Sequence, residues 1–314
     1  MVKKIESITE KIQKLKKDRN AVILAHNYQI EEVQDIADFT GDSLELAKKA
    51  IDLKEDVIVF CGVHFMAETA KMLNPDKIVL LPDEYAGCPM ADMASAADVI
   101  NLRRKHPGAV VVCYVNSTAE VKAVSDVCCT SSNAVDIINR IPKDREIIFV
   151  PDQYLGGHVS RLAKRDIILF NGYCPTHARL TLRMVEKIRE EYKDAPVIVH
   201  PESRKEVCLA ADEALSTGQM CSYAKKSTAE TIIVGTEIGI LHRLRKENPE
   251  KTFIPLNPKA VCPNMKKIDI EKILWSLEDL SPRIEVDDNI AKKANRSVLA
   301  MLGDGPILPV NEYE

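Results

Sequence analysis

Three of the nine cysteines in this 314-residue sequence are followed directly by proline: Cys88, Cys174 and Cys262. At the usual frequency of proline, nine cysteines would give about half of one such dipeptide by chance. The three cysteines are also evenly spaced, 86 and 88 residues apart. This spacing indicates an internal repeat that carries one thiol in each copy. Thiolates from three repeats can meet at one point and act as soft metal ligands.

Three thiolates leave one coordination position of a metal site without a protein ligand. A structural zinc site normally takes four ligands from paired cysteine motifs, which this sequence lacks. A [4Fe–4S] cluster fits the count better, because its fourth iron stays open as a Lewis acid for substrate oxygens. The alternative is that Cys-Pro only ends a loop and buries its thiol. We expect the other six cysteines to pack in the core, with a Cys128–Cys129 disulfide as the alternative.

Nine short apolar runs supply the elements that would position these cysteines. They are continuous and rich in β-branched residues, which is typical of strands covered on both faces in parallel sheets. The runs begin at residues 21, 56, 77, 109, 146, 166, 196, 231 and 252. Segments of helical period, such as 43–53 and 178–192, lie between most of them. The predicted class is therefore α/β, with crossover helices.

The nine runs fall into three sets of three, and each set ends in one Cys-Pro loop. We expect three similar three-layer αβα domains with short parallel sheets, arranged around a pseudo-threefold axis with the cluster and active site at the centre. The predicted domains are 21–105 with an N-terminal helix in 1–20, then 106–192 and 193–268. Residues 269–314 are expected to form C-terminal helices and a tail that pack on the repeats.

Polar side chains follow the first strand of each repeat. They are His26, Asn27 and Tyr28 in the first repeat, Tyr114, Asn116 and Ser117 in the second, and His200 and Glu202 in the third. Ligands of open parallel sheets gather at the carboxyl ends of the strands, so these groups would line one cleft. Imidazole, phenol and carboxylate groups offer acid–base catalysis, while amides and hydroxyls can hold carboxylates or phosphate.

A hydroxyl-rich turn precedes a helix in each repeat, at residues 40–43, 129–133 and 215–219. Backbone N–H groups at a helix start, together with hydroxyls, make an anion site, which predicts an anionic substrate. The alternative is ordinary helix capping by Ser43, Ser131 and Thr217. Neither a phosphate-binding loop nor a dinucleotide fingerprint occurs, so nucleotide binding is not supported.

Composition and charge exclude several classes of protein. The net charge of −4 comes from interspersed residues, with no basic stripe for nucleic acid. The hydrophobic fraction of 46 % argues against disorder, and the chain is too long for a disulfide-stapled miniprotein. The N-terminus lacks the apolar core of a signal peptide, and no stretch approaches a membrane span. We therefore expect a cytoplasmic protein with neither a membrane nor a nucleic-acid partner.

Several segments in combination resemble the quinolinate synthase family of de novo NAD biosynthesis. The resemblance covers roughly residues 20–266. It is carried by the three cysteines and by LAHNYQ (24–29), DIADFTGDSLELA (35–47), YVNSTAE (114–120), TSSNAV (130–135), IVHPE (198–202), STGQM (216–220) and VGTEIG (234–239). It implies a triangular fold of three domains and a transferase that condenses iminoaspartate with dihydroxyacetone phosphate to quinolinate, releasing phosphate and water. It also implies a [4Fe–4S] cluster on Cys88, Cys174 and Cys262, whose open iron assists dehydration.

The resemblance implies roles for residues at matching positions. The acid–base set would be His26, Tyr28, His200 and Glu202. The pocket for phosphate and carboxylates would comprise Asp42, Ser43, Tyr114, Asn116, Ser131, Ser216 and Thr217, with Met66 as a wall residue. An enzyme that produces iminoaspartate would hand that substrate over. Two positions depart from the family: one cysteine stands where some members carry C-x-x-C-x-x-C, and Tyr173 stands where the family often has histidine.

Two other functions stay open on the residues alone. One is a different [4Fe–4S] hydro-lyase that acts on a small hydroxy acid. The other is an iron–sulfur redox sensor, although a sensor does not need three sets of polar groups beside its cluster. Activity with the implied substrates separates these alternatives.

Overall fold

The computed structural model describes residues 2–303 and 305–310 of the chain. Within these residues, twelve strands form three four-stranded sheets. The strands are β1 (Ala21–His26), β2 (Phe39–Gly41), β3 (Val57–Cys61), β4 (Ile78–Leu80), β5 (Val110–Tyr114), β6 (Val127–Cys129), β7 (Ile147–Val150), β8 (Ile168–Leu169), β9 (Val197–Val199), β10 (Glu213–Ala214), β11 (Thr231–Gly235) and β12 (Thr252–Pro255). All the strand pairs of these sheets are parallel. The predicted α/β class is confirmed.

One strand order recurs in all three sheets. The orders are β2-β1-β3-β4, β6-β5-β7-β8 and β10-β9-β11-β12. The first strand of each set therefore lies inside its sheet, and the last strand lies at an edge. This recurrence is what three copies of one supersecondary unit produce. The predicted domain boundaries stay a prediction.

All nine apolar runs form strands, but the sheets contain three strands that the apolar pattern did not predict. These are β2, β6 and β10, which are two or three residues long and lie at sheet edges. Each lies at or next to a hydroxyl-rich turn. The predicted strands β4, β8 and β9 are equally short, but each lies within one of the nine apolar runs, whereas β2, β6 and β10 do not.

Fourteen α-helices accompany the sheets in the described residues. They are α1 (Val2–Asp18), α2 (Glu31–Ile36), α3 (Ser43–Ile51), α4 (His64–Leu73), α5 (Ala96–Lys105), α6 (Ala119–Ala123), α7 (Ala134–Asn139), α8 (Gln153–Ala163), α9 (Leu182–Glu191), α10 (Lys205–Ala210), α11 (Thr217–Lys226), α12 (Ile240–Glu247), α13 (Ile270–Asp279) and α14 (Asp288–Leu302). The predicted helix 43–53 is found as α3. The predicted helix 178–192 is shorter, because a 3₁₀ turn (His177–Arg179) precedes α9.

The capping alternative for the three turns is wrong in its choice of residues. The cap of α3 is Asp42, not Ser43, and the cap of α11 is Ser216, not Thr217. Helix α7 begins after Asn133, two residues beyond Ser131. At α3 and α11 the side chain one position earlier reaches the backbone N–H groups of the first turn, which is the geometry that capping requires.

The core lies in the sheets. All six residues of β1 and all five residues of β3 and of β5 are buried, which explains why these strands are almost entirely apolar. Burial of one such valine, leucine or isoleucine contributes roughly 1.5–3 kcal/mol. This rigid core fixes the carboxyl ends of the strands, where the candidate residues lie. Among the described residues, no helix is both long enough and apolar enough to cross a membrane.

The chain forms two compact units, and each combines an early part of the sequence with a late segment. The first unit comprises Met1–Cys88 and Cys262–Asp287, and the second comprises Pro89–Val261 and Asp288–Glu314. Within the first unit, α13 packs on α1 and contacts β3. Within the second, α14 packs on α6 and β6.

Candidate active site

The side chain of Glu202 is the centre of a buried polar cluster in the second unit. Tyr114 Oη donates a hydrogen bond of 2.6 Å to Glu202 Oε1, and Asn116 Nδ2 lies 3.4 Å from the same oxygen. On the other side, Glu202 Oε2 lies 2.7 Å from His177 Nδ1 and 3.8 Å from His200 Nδ1. These groups follow strands of two different sheets, and Glu202 joins them.

The turn after β5 holds Tyr114 and Asn116 in place. Ser117 Oγ donates to the carbonyl of Tyr114 at 2.9 Å. The fully buried Lys122, on α6, donates from Nζ to the carbonyl of Ser117 at 2.8 Å. Ser297, on α14, donates in turn to the carbonyl of Lys122. The buried ammonium group of Lys122 therefore stabilises the turn that carries Tyr114 and Asn116.

His177 connects Glu202 to one of the Cys-Pro thiols. Its Nδ1 lies 3.1 Å from Cys174 Sγ, and its Nε2 lies 2.7 Å from Thr236 Oγ1. A carboxylate can only accept, so Nδ1 carries the proton shared with Glu202. The ring of His177 stacks on that of His200, with centroids 4.7 Å apart. Ligand atoms of Cys174, His177 and Glu202 all lie within 4.8 Å of one another.

The pKa values of two buried carboxyl groups near this cluster are shifted in opposite directions. Burial alone would raise the pKa of Glu202, but the charges of His200 and His177 and the hydrogen bonds from His177 and Tyr114 outweigh it, so the pKa is well below the ordinary value. Burial raises the pKa of Asp152 well above the ordinary value, and the negative charge of Glu202 adds to the rise. Glu202 therefore stays ionised near neutral pH.

The loop that carries Cys174 is fixed by contacts with the start of α8. Asp152 Oδ1 accepts hydrogen bonds from the backbone N–H groups of Tyr154 and Leu155. The backbone N–H of Gly172 donates to the carbonyl of Pro151 at 3.0 Å. The carbonyl of Gly172 accepts from the backbone N–H of Gln153 at 2.9 Å. A Cβ at Gly172 would lie 2.5 Å from the Pro151 carbonyl oxygen. Only glycine allows this close approach two residues before Cys174.

The first unit places His26 and Tyr28 side by side at the end of β1. The backbone N–H of Tyr28 donates to His26 Nδ1 at 3.2 Å, and the rings meet edge to face at 4.6 Å. The third repeat contains the same bond, from the backbone of Glu202 to His200 Nδ1 at 3.3 Å. His-x-Tyr and His-x-Glu are thus equivalent turns. Since Nδ1 accepts, the proton of a neutral ring lies on Nε2.

The other candidates of the first unit lie on helices that follow β2 and β3. Asp42 Oδ1 accepts from the backbone N–H groups of Leu44 and Glu45. Ser43 is half-buried at the first position of α3, and Met66 is buried on α4. The carboxylate of Asp42 therefore has a capping contact. A role of these three residues toward substrate stays a prediction.

Two hydroxyl-rich turns meet within the second unit. Ser132 Oγ donates to Ser216 Oγ at 2.8 Å, and Gln219 Nε2 lies 3.5 Å from the carbonyl of Ser132. Ser131 is half-buried beside this contact, and Thr217 is buried at the first position of α11. Hydroxyls of the second repeat therefore lie against a helix start of the third. This arrangement suits an anion.

The nine cysteines, all within the described residues, are thiols and divide into two classes. Cys88, Cys174 and Cys262 are half-buried, and each follows the last strand of its sheet, while the other six are buried. Burial raises the pKa of Cys208 to about 12, and it raises the pKa of the Cys61 and Cys129 thiols as well. The expected core packing of the six is confirmed. Equivalent position, partial exposure and soft donor chemistry distinguish the other three from the six buried cysteines.

A surface cavity of about 470 Å³ lies elsewhere on the second unit. It is lined by residues 191–195 and 229–231. These segments lead into β9 and β11, so the cavity is at the amino ends of the strands. Glu202 and Thr236 follow the carboxyl ends of the same strands. The cavity is therefore separate from the candidate site.

Sequence reasoning did not assign roles to His177, Thr236, Ser132 or Asp152. Two of them carried a signal. His177 follows Cys174 by three residues, and Thr236 comes directly after β11, as His200 follows β9. The contact between Ser132 and Ser216 and the burial of Asp152 depend on tertiary packing, which leaves no local trace.

Comparison with known proteins finds one family over most of the chain. Residues 10–303 match a family model described as Quinolinate synthetase A protein (NadA). A quinolinate synthase of Dehalococcoides mccartyi strain CBDB1 is 56 % identical over 297 residues, which cover 95 % of this chain and 98 % of the relative. The Geobacter metallireducens quinolinate synthase is 51 % identical over 95 % of this chain and 97 % of the relative. A quinolinate synthase of Thermus thermophilus is 48 % identical over 96 % of this chain and 98 % of the relative.

Proposed function

The chain belongs to the Quinolinate synthetase A protein (NadA) family, and we propose that it condenses iminoaspartate with dihydroxyacetone phosphate to quinolinate, releasing phosphate and water. It is thus an enzyme, with quinolinate synthase activity, and its place is in NAD biosynthesis. The observation that carries the proposal is the buried cluster around Glu202, which joins strand ends of two repeats to the thiol loop of Cys174.

We propose that Cys88, Cys174 and Cys262 hold a [4Fe–4S] cluster. The support is their equivalent position after the last strand of each sheet and their partial exposure, in contrast to the six buried cysteines. When bound, the cluster would supply an open iron that acts as a Lewis acid toward hydroxyl and carboxylate oxygens during dehydration.

The residues around Glu202 would divide the work of proton transfer. The ionised carboxylate accepts hydrogen bonds from Tyr114 and His177, so it orients them and stabilises positive charge on the imidazole. His200 and Tyr28 would exchange protons with substrate, together with the Nε2 proton of His26. The hydrogen bond from the backbone N–H of Tyr28 to His26 Nδ1 fixes the positions of these two residues relative to each other.

The phosphate and carboxylates would bind at hydroxyls and helix starts. In the second unit the set is Tyr114, Asn116, Ser131, Ser216 and Thr217, supported by the Ser132–Ser216 contact at the first turn of α11. In the first unit it is Asp42 and Ser43, with Met66 as a wall. Backbone N–H groups at a helix start favour anions, which both substrates are.

The wider setting is also proposed. The chain would act in the cytoplasm and take iminoaspartate by handover from an enzyme that produces it, with no membrane or nucleic-acid partner. Each sheet with its helices would be one domain, with boundaries 21–105, 106–192 and 193–268, arranged around a pseudo-threefold axis. The support is the strand order common to the three sheets.

The test is anaerobic reconstitution with iron and sulfide, followed by an assay for quinolinate from the two substrates. We expect a [4Fe–4S] absorbance and product formation. Cys88→Ser, Cys174→Ser and Cys262→Ser should each abolish the absorbance, while the matched Cys61→Ser and Cys221→Ser should keep it. A well-formed cluster without product would point to another hydro-lyase or a sensor. Equal loss in all five variants would refute the choice of ligands.

A further inference from the structure

Two consecutive lysines just beyond Cys262 reach two different loops of the first unit. Lys266 Nζ donates to the carbonyl of Tyr28, and Lys267 Nζ donates to the carbonyl of Tyr85. Tyr85 precedes Cys88 by three residues. One short segment therefore contacts both the loop of a candidate catalytic tyrosine and the loop of a second candidate ligand.

The contact with the Tyr28 loop has a buried component. Gln29 Nε2 donates to Met265 Sδ at 3.5 Å, and both side chains are buried. Lys266 is half-buried and extends across this contact to the backbone of Tyr28. The same backbone carries the N–H that binds His26. A shift of Met265–Lys266 would therefore move the turn that orients both rings.

The contact with the Cys88 loop is anchored separately. Lys272, on α13, donates to the carbonyl of Lys267 at 2.6 Å and pairs with Asp83 at 2.7 Å. Asp83 Oδ1 accepts from the backbone N–H of Tyr85. The ammonium groups of Lys267 and Lys272 and the carboxylate of Asp83 thus join the segment before Cys88 to the segment after Cys262.

We propose that Lys266 and Lys267 are positioning residues with separate roles. Lys267 holds the Cys88 and Cys262 loops at the separation that the cluster needs. Lys266 holds the Tyr28 turn relative to the Cys262 loop, and so aligns the tyrosine for catalysis. Lysine suits both tasks, because one ammonium group carries three donors on a long stem. The inference rests on the proposed function for the cluster and for Tyr28.

The first test compares cluster retention in Lys267→Met and Lys266→Met. Reconstituted proteins are mixed with an iron chelator, and iron release is followed by absorbance. We expect release from Lys267→Met to be about tenfold faster than from wild type, since a ligand loop has lost its tether. Lys266→Met should release iron at the wild-type rate. The matched control is Lys259→Met, an exposed lysine three residues before Cys262.

The second test measures turnover. Lys266→Met should lower kcat about tenfold or more with KM and cluster content unchanged, because a displaced catalytic group weakens the transition state. Lys266→Arg should recover most of the loss, since it keeps the donor. A merely structural lysine would instead lower the melting temperature without this split between kcat and KM.

Amide hydrogen exchange of the cluster-free variants tests the two loop contacts without the activity assay. Lys266→Met should speed amide exchange at residues 26–29 only, and Lys267→Met at residues 83–88 only. Equal exchange and equal iron release in both variants would overturn the separate roles. A wild-type protein that holds no cluster would defeat the proposed function instead, and the exchange pattern would still decide whether the lysines position these loops.

Discussion

The two units hold their candidate side chains in different ways. In the second unit, the side chains of Tyr114 and His177 both bind the carboxylate of Glu202. In the first unit, His26 and Tyr28 are held through the backbone: the N–H of Tyr28 binds the imidazole, and its carbonyl accepts from Lys266. In the second unit the reactive side chains therefore support one another, and in the first unit hydrogen bonds to the backbone of Tyr28 contribute to the support.

This difference predicts whether a mutation affects stability as well as activity. A side chain that supports its neighbours cannot be removed without leaving buried partners unsatisfied, which costs stability as well as activity. A side chain held through its backbone can lose its functional group while the turn stays in place. The variants below separate the two cases.

The largest effect is expected for Glu202→Gln. Loss of the negative charge weakens the contact with His177 and the hydrogen bond from Tyr114. Activity should fall by about 10³-fold, and the free energy of unfolding by about 3 kcal/mol, as measured by kcat/KM and urea denaturation. The control is Glu213→Gln, an exposed glutamate on β10. Unchanged stability of Glu202→Gln would mean that the cluster does not support itself.

Tyr28→Phe should lose activity with a smaller loss of stability than Glu202→Gln. The ring and the hydrogen bond from the Tyr28 backbone N–H to His26 remain, and no buried charge is removed. We expect a fall in kcat of about 10²-fold and an unfolding free energy lower by about 1.5 kcal/mol or less. Tyr192→Phe, which lies before the amino end of β9 and away from the carboxyl ends of the strands, is the control. A stability loss as large as that of Glu202→Gln would erase the distinction between the two units.

A double-mutant cycle tests whether the cluster of the second unit acts as one network. Tyr114→Phe and Thr236→Val each remove one hydrogen bond on a path through Glu202 and His177. Each change should cost about 1–2 kcal/mol of stability, and the pair should depart from additivity by at least about 0.5 kcal/mol. Thr231→Val, at the start of β11, controls for loss of a threonine hydroxyl. Strict additivity would contradict the network.

The smallest effect is expected for Ser132→Ala. It removes the hydrogen bond to Ser216, which should cost about 1 kcal/mol or less. Because that bond orders the start of α11, KM for dihydroxyacetone phosphate should rise about threefold while kcat is kept. Ser222→Ala, exposed on the same helix, is the control. An unchanged KM would remove Ser132 from the anion site.

The sequence predicted those features whose signal is local. Continuous β-branched runs such as Val110–Tyr114 predict buried strands directly, because only a strand covered on both faces is apolar at every position. The even spacing of Cys88, Cys174 and Cys262 identified three equivalent loops, and these thiols alone are half-buried. Residues directly after the first strands, including His200 and Glu202, were placed at the strand ends correctly.

Features that depend on contacts between residues far apart in the sequence were not predicted. His177 meets Thr236 across 59 residues, and Lys266 meets Tyr28 across 238 residues. A lysine in a loop is usually solvated, so its type and neighbours gave no sign of these contacts. The short strand β10 forms because β9 is already in place to pair with it, not because its two residues favour a strand.

Both units are assembled from discontinuous stretches of sequence, and this sets an order of events during synthesis. The first unit needs Cys262–Asp287, and α14, which packs on α6 of the second unit, begins only at Asp288. A ribosome makes the chain from the N-terminus, so neither unit can be completed before the segment that begins at Cys262 has emerged. Lys122 stays uncovered by Ser297 until then. Cluster insertion would therefore be a step that follows translation rather than one that accompanies it.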